Sequence, residues 1–140
     1  MHFRLDPQVA GELGEGTRLD GHSHPPTVDK VDYVLDGPDT DDLVQSFPVF
    51  LVTIRLGRVL LAADLTGFSL AEASVRPGDG YTDAFGEAPH RRFSWLQVRG
   101  VASQDDCWLD STHLLCVSAR MMDRLQGANL SNCTIEEVST

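Results

Sequence analysis

Residues 52–74, VTIRLGRVLLAADLTGFSLAEAS, and residues 117–139, VSARMMDRLQGANLSNCTIEEVS, align without a gap at a constant offset of 65. Thr53 meets Ser118, Arg55 meets Arg120, Leu56 meets Met121, Leu60 meets Leu125, Ala63 meets Ala128, Leu65 meets Leu130 and Leu70 meets Ile135. Upstream, Asp41 meets Asp106 at the same offset, and a two-residue slip overlays VDYVLDG (31–37) on SWLQVRG (94–100). An internal repeat constrains a fold more than any local propensity, because each copy must form the same supersecondary unit. Two copies are too few for a solenoid, so both must share one domain.

Each copy, at about 31–75 and 94–139, reads as strand, acidic turn, strand, helix, strand. Residues 48–52 and 113–117 are short, apolar and rich in β-branched residues or leucine, as buried strands are. Thr53 and Ser118 follow, hydroxyl residues that can accept from an unpaired amide of the first helical turn. Leu56, Val59, Leu60 and Ala63 then recur at the spacing of one helix face, and Met121, Met122, Leu125 and Ala128 repeat it less strictly. Asp64 with Gly67, or Asn129 with Asn132, supplies residues that tolerate left-handed backbone after a helix. Alternation resumes at Phe68 and Leu70, or Cys133 and Ile135, as a closing strand. If the strands flanking each helix are parallel neighbours, the crossover should be right-handed. The expectation is an α+β single domain, 1–140, with two helices packed on one sheet.

The stretches 10–30 and 76–92 lie outside the repeat and, rich in Gly, Pro and polar residues, read as loops; the connector between the copies spans about 76–93. With 41% hydrophobic residues over 140 positions, the chain can bury a core of single-domain size. It contains no apolar run of membrane-spanning length, and its first residues lack the basic start and apolar middle of a secretory signal, so a soluble, cytoplasmic protein is expected. Cys107, Cys116 and Cys133 have no metal-binding spacing, and their odd number suits reduced thiols packed in or near the core.

Twenty-one acidic residues against eleven basic give a formal net charge of −10. Residues 1–48 carry −7, residues 49–100 carry +1 and residues 101–140 carry −4. The densest acid is DKVDYVLDGPDTDD (29–42). Such a balance disfavours nucleic acid, whose phosphates call for Lys and Arg, and favours a basic protein partner. A solvated acidic surface accounts for the same stretch without any partner.

No motif singles out a catalytic residue or a cofactor. In DGHSHPP (20–26), Asp20, His22 and His24 offer the best metal-ligand spacing, and a small metal-dependent enzyme built on His22 and His24 is the alternative class. H-x-H among glycines and prolines also describes a plain solvated loop. The doublets Asp41–Asp42 and Asp105–Asp106 recur at one place in both copies, which a turn common to the repeat explains better than a cation site. A third possibility is an interaction module of a larger assembly.

The pattern LLCVSARMMDRLQGANLSNCTIEEV, an apolar strand ending in Val-Ser, a helix closing on Leu, then N-L-S-x-C and an acidic strand, resembles the C-terminal signature of a bacterial immunity protein family of polymorphic toxin systems. FLVTIRLGRVLLAADLTGFSLAEASV resembles the same signature, with Asp64-Leu65-Thr66-Gly67-Phe68 the closer match to its end. The resemblance covers roughly 31–140 apart from the connector, and it implies an inhibitor without catalytic residues that neutralises a sibling toxin in the cytoplasm. On that reading an acidic surface covers a basic active-site cleft. The expected contact residues are then Asp29, Asp32, Tyr33, Asp36, Asp39, Asp41, Asp42 and Tyr81, with Phe85 and Trp95 nearby. Tyr33 fits a core position equally well.

Overall fold

The computed structural model describes residues 1–22 and 27–139. The architecture is α+β: thirteen strands form two four-stranded sheets, one three-stranded sheet and a hairpin, with three helices among the described residues. The first copy forms β6 (Leu43–Ser46), β7 (Val49–Thr53), α1 (Ile54–Ala62) and β8 (Phe68–Ala71), and the second forms β11 (Cys107–Leu109), β12 (Leu115–Ser118), α3 (Ala119–Leu125) and β13 (Thr134–Val138). The strand, helix, strand core of each repeat therefore forms as its spacing predicts. β6 and β11, short strands directly after the acidic turns, were not anticipated.

The helix starts follow the hydroxyl signals. The Thr53 hydroxyl accepts from the Leu56 N–H at 3.3 Å, and the Ser118 hydroxyl accepts from the Met121 N–H at 3.1 Å. Beyond the helices the copies differ: Asp64 and Gly67 take φ of 54° and 98°, whereas Asn129 and Asn132 do not enter the left-handed region. At Gly67 a Cβ would stand 2.3 Å from the Cys107 carbonyl oxygen, so only glycine fits that approach.

The arrangement of strands departs from expectation in two ways. The copies occupy separate four-stranded sheets, in the orders β6-β7-β10-β8 and β11-β12-β1-β13. The strands flanking each helix are not neighbours either. β10 (Phe93–Val98) lies between β7 and β8, and β1 (His2–Asp6) lies between β12 and β13, each antiparallel to both its neighbours. A helical crossover wide enough to skip one strand leaves a slot whose unpaired backbone groups need a partner, and a strand from elsewhere in the chain supplies it.

The insertion is reciprocal. β1 precedes the first copy in the chain yet completes the second copy's sheet, while β10 opens the second copy yet completes the first copy's sheet. The registers match: Leu96 pairs with Phe50 and Leu70, and Leu5 pairs with Leu115 and Ile135, the same two positions moved by the repeat offset. VDYVLDG and SWLQVRG, which overlay in sequence, end in different places. β5 (Asp32–Leu35) joins the three-stranded sheet β2-β5-β9, with β2 (Gly11–Leu13) antiparallel and β9 (Ser74–Pro77) parallel to it.

β7 is buried along its whole length because both faces of its sheet are covered. Phe50 and Val52 enter a core shared with Leu5, Leu56, Leu60, Leu96, Leu115, Val117, Met121 and Leu125, which joins both copies and their helices. Val49 and Leu51, on the alternate face, meet Val31, Tyr33, Leu35, Tyr81 and Phe93, a second core under the three-stranded sheet. A strand buried on both faces reads as a continuous apolar run, as this one does.

The two stretches read as loops carry structure. Residues 10–30 contain β2 and the hairpin of β3 (Arg18–Asp20) and β4 (Thr27–Lys30), and the connector holds the end of β9 and α2 (Asp79–Phe85). Between Gly78, Gly80 and Gly86, α2 has poor intrinsic propensity. Burial of Tyr81, fully enclosed in the second core, and donation from its hydroxyl to the Ala88 carbonyl hold the helix in place. Among the described residues no helix is long and apolar enough to cross a membrane. Cys107 and Cys116 are buried and Cys133 is half-buried, all as free thiols. Burial pushes the Cys107 thiol up to about 12.

Candidate functional site

The acidic doublets lie at the seam between the copies. The Asp42 carboxylate accepts from the Thr53 hydroxyl of its own copy at 3.0 Å and from the Asn129 N–H of the other copy at 2.6 Å. Its backbone pairs the same way, with Asp42 N–H donating to the Asn129 carbonyl at 2.8 Å and Thr53 N–H to the Asp42 carbonyl at 2.9 Å. Asp106 mirrors this: it accepts from the Ser118 hydroxyl at 2.7 Å and from the Thr66 N–H of the first copy at 2.9 Å. An arginine completes each, Arg91 at Asp42 and Arg120 at Asp106. The equivalent aspartates are thus Asp42 and Asp106, one residue away from the alignment of Asp41 with Asp106. Asp41, fully buried, accepts from the Asn132 N–H at 2.8 Å, the Asn132 side chain at 3.0 Å and the Ser131 hydroxyl at 3.3 Å. These carboxylates satisfy loop amides that would otherwise be buried without acceptors, so the turn role expected of them extends to fastening one copy to the other.

Five of the eight expected contact residues are enclosed in this way. Asp41 and Asp42 are committed to the seam. Asp32 is buried against Arg76, with bonds of 3.1 and 3.2 Å, and accepts from the Gly16 N–H at 3.2 Å; the Arg76 hydrogen bonds hold its carboxyl below the usual range. Tyr33 has no exposure; its hydroxyl accepts from the Ala10 N–H at 3.2 Å and donates to the Gln45 carbonyl at 2.8 Å. Burial pushes its phenol up to about 12. Tyr81 is enclosed in the second core. For Asp32, Tyr33, Asp41, Asp42 and Tyr81 the expectation of a surface contact is therefore corrected: each serves the interior, because its polar atom answers a backbone or guanidinium group placed there by the fold. Replacing Tyr33 by Phe should cost about 1–2 kcal/mol in urea unfolding, since it leaves the Ala10 N–H and Gln45 carbonyl without their partner.

Asp29, Asp36 and Asp39 are exposed. His22 is exposed as well, its N–H donating to Asp20 at 3.0 Å; His24 lies outside the described residues. Among the described residues no three His, Cys, Asp or Glu side chains converge as metal ligands.

Folding concentrates charge more than the sequence order suggests. The three-stranded sheet, the hairpin and α2 are built from residues 10–40 and 72–90, which hold eleven acidic and three basic residues, or −8 of the −10. The rest of the chain holds ten acidic and eight basic residues and carries only −2. Of the eleven acids Asp32 alone is buried; Glu12, Glu15, Asp20, Asp29, Asp36, Asp39, Glu72, Asp79, Asp83 and Glu87 are exposed. Glu15 and Asp79, distant in sequence, both act on the charge of Arg76. The residues missed by sequence reasoning, Glu12, Glu15, Asp79, Asp83 and Glu87, lie in the two stretches read as loops. Their signal was present as acidity outside the repeat.

This acidic lobe also carries exposed apolar side chains. Phe85, at the end of α2, is 49% exposed and meets Tyr81 edge-on with ring centroids 5.8 Å apart, and Leu19 on the hairpin is 47% exposed. Phe85 is thus an exposed aromatic of this lobe, where Tyr33 and Tyr81 are buried. No protein-family model matches the sequence, and no curated protein matches it.

Proposed function

We propose that this chain is an immunity protein, an inhibitor that binds a cognate bacterial toxin in the cytoplasm and covers its basic active-site cleft. The observation that carries the proposal is the segregation of −8 of the net charge onto one lobe, beside an almost neutral body formed by the repeat that resembles an immunity-family signature. A single-sign patch raises encounter rates with an opposite patch, and carboxylates in a basic cleft occupy the place of substrate phosphate. Inhibition on this reading is occlusion, without chemistry contributed by the inhibitor. Phe85 supplies the aromatic contact, since buried anchors carry more binding energy than rim charges.

The test begins with affinity capture of the tagged chain from its native host at low and high salt. One basic protein, held near one to one and toxic when expressed alone, is the expected result. With that partner in hand, Asp29→Lys, Asp36→Lys and Asp39→Lys combined should slow association about tenfold or more and flatten its salt dependence. Phe85→Ala should mainly speed dissociation. Association that keeps its rate and salt slope in the triple variant would remove the acidic lobe from the mechanism.

A further inference from the structure

Four arginines converge on the start of α1 in a protein that is otherwise strongly acidic. Thr53, Ile54 and Arg55, the N-cap and first two residues of the helix, line a hollow of about 400 Å³ with Arg91, Arg92 and Asp42. Beyond Arg55 it meets a smaller hollow that includes Arg124, Leu56 and Val59. Beyond Ile54 and Arg92 it meets a groove of about 780 Å³ whose lining includes Asp29, Lys30, Glu72, Leu70, Phe93 and Ser94. Shared residues make the three one continuous trough.

The charges in this trough are unbalanced. Arg91 pairs with Asp42, the one carboxylate in the central hollow, and that pair is already neutral. Among the described residues Arg55, Arg92 and Arg124 make no ion pair. The Ile54 N–H donates to the Arg92 carbonyl and the Leu56 N–H to the Thr53 hydroxyl. Arg91 also borders a separate polar hollow of about 240 Å³ lined by Asp39, Asp41 and Thr40 among others, whose carboxylates make it a poor place for an anion. Guanidiniums without a carboxylate partner beside the start of a helix ask for an acceptor-rich anion.

We infer that the trough binds a phosphorylated small molecule, its phosphate held by Arg55 and Arg92 at the start of α1 and its organic part lying in the larger groove against Leu70 and Phe93. Guanidinium forks match phosphate oxygens two at a time, and a helix start adds amide donors and the positive end of the helix dipole. A groove of this volume, part apolar and part polar, suits a nucleotide-sized organic body. The arginines lie outside the acidic lobe, and the larger groove runs to its edge at Asp29 and Glu72.

Isothermal titration of the full chain at low ionic strength, with ADP and inorganic phosphate as separate probes, tests the inference. One ADP per chain is expected, bound about tenfold or more tightly than inorganic phosphate. Arg55→Ala and Arg92→Ala should each weaken ADP about tenfold, with thermal melts unchanged because both side chains are exposed. Arg92→Lys, which keeps the charge and loses the fork, should fall between. Absence of saturable binding by either probe, or ADP binding unaltered in both alanine variants, would overturn the inference. Equal affinity for ADP and inorganic phosphate would overturn the placement of an organic part in the larger groove.

Discussion

Leu5→Ala and Leu96→Ala should each lower the unfolding free energy by about 3 kcal/mol, and by similar amounts, in urea titration. The two leucines have no sequence relationship beyond their identity, since β1 precedes the repeat and β10, which opens the second copy, overlays β5 rather than β1. Their equivalence is structural. Leu5 is fully buried and Leu96 is 2% exposed, both in the core that joins the copies. Each sits in the middle of a sheet, opposite two residues that correspond at the repeat offset: Leu115 and Ile135 for Leu5, Phe50 and Leu70 for Leu96. Truncation removes the transfer energy of the lost atoms and leaves a cavity that neighbouring strands, tied by hydrogen bonds on both sides, close poorly. Because each copy's sheet is completed by a strand from the other copy's leading segment, both variants should still unfold in one transition. A cost at Leu5 below about 1 kcal/mol, or a separate early transition in either variant, would show that the inserted strands are not equivalent.

Asp106→Ala should cost about 3 kcal/mol and should also change the acid sensitivity of the fold. The side chain accepts from the Ser118 hydroxyl, the Thr66 N–H and Arg120, so its removal strands a first-copy amide, a helix-capping hydroxyl and a guanidinium together. The Arg120 side chain is 58% exposed, so solvent screens the ion pair and most of the cost falls on the buried hydrogen bonds. The Arg120 hydrogen bond, aided by those from Ser118 and the Thr66 amide, outweighs desolvation and holds the Asp106 carboxyl well below the usual carboxylate range. A depressed folded-state value means that this contribution is complete above the unfolded-state value of about 4 and is lost as pH falls below it. Asp32, lowered by Arg76, adds to the same slope. Urea unfolding from neutral pH to about pH 2 should therefore show wild-type stability falling steeply below about pH 4, and a shallower fall in Asp106→Ala. Equal slopes in the two proteins would show that the Asp106 carboxylate is not the linked group.

Much of each repeat was legible because its determinants lie close together in the chain. Thr53 and Ser118 signal helix starts by type and position, and of the apolar positions expected on one face of α1, Leu56 and Leu60 are buried while Val59 is exposed. The short strands β6 and β11 were not legible, since three or four residues hold too little pattern to separate a strand from a turn. The candidate contact residues were only partly legible. Aspartates at 29, 36, 39, 41 and 42 look alike in sequence, yet 29, 36 and 39 are exposed and 41 and 42 are buried. What distinguishes them is whether a loop from the other copy delivers amide donors, and the donor to Asp42 at Asn129 is 87 residues away. Tyr33 and Tyr81 resembled surface anchors because acidic or glycine-rich neighbours surround them, while the second core that encloses them is assembled from strands and a helix of distant segments.

The sequence by itself determined the two capped helices, the apolar strands before them, the duplication and the net charge, all properties of residue identity at short or constant spacing. Tertiary structure alone decided that β1 and β10 exchange copies, that Asp42 and Asp106 fasten the seam, and that the free acids gather on one lobe while unpaired arginines gather at the start of α1. The physical reason is that backbone hydrogen bonds and buried carboxylates must be satisfied by whichever groups arrive beside them. Which groups arrive is set by packing the whole chain.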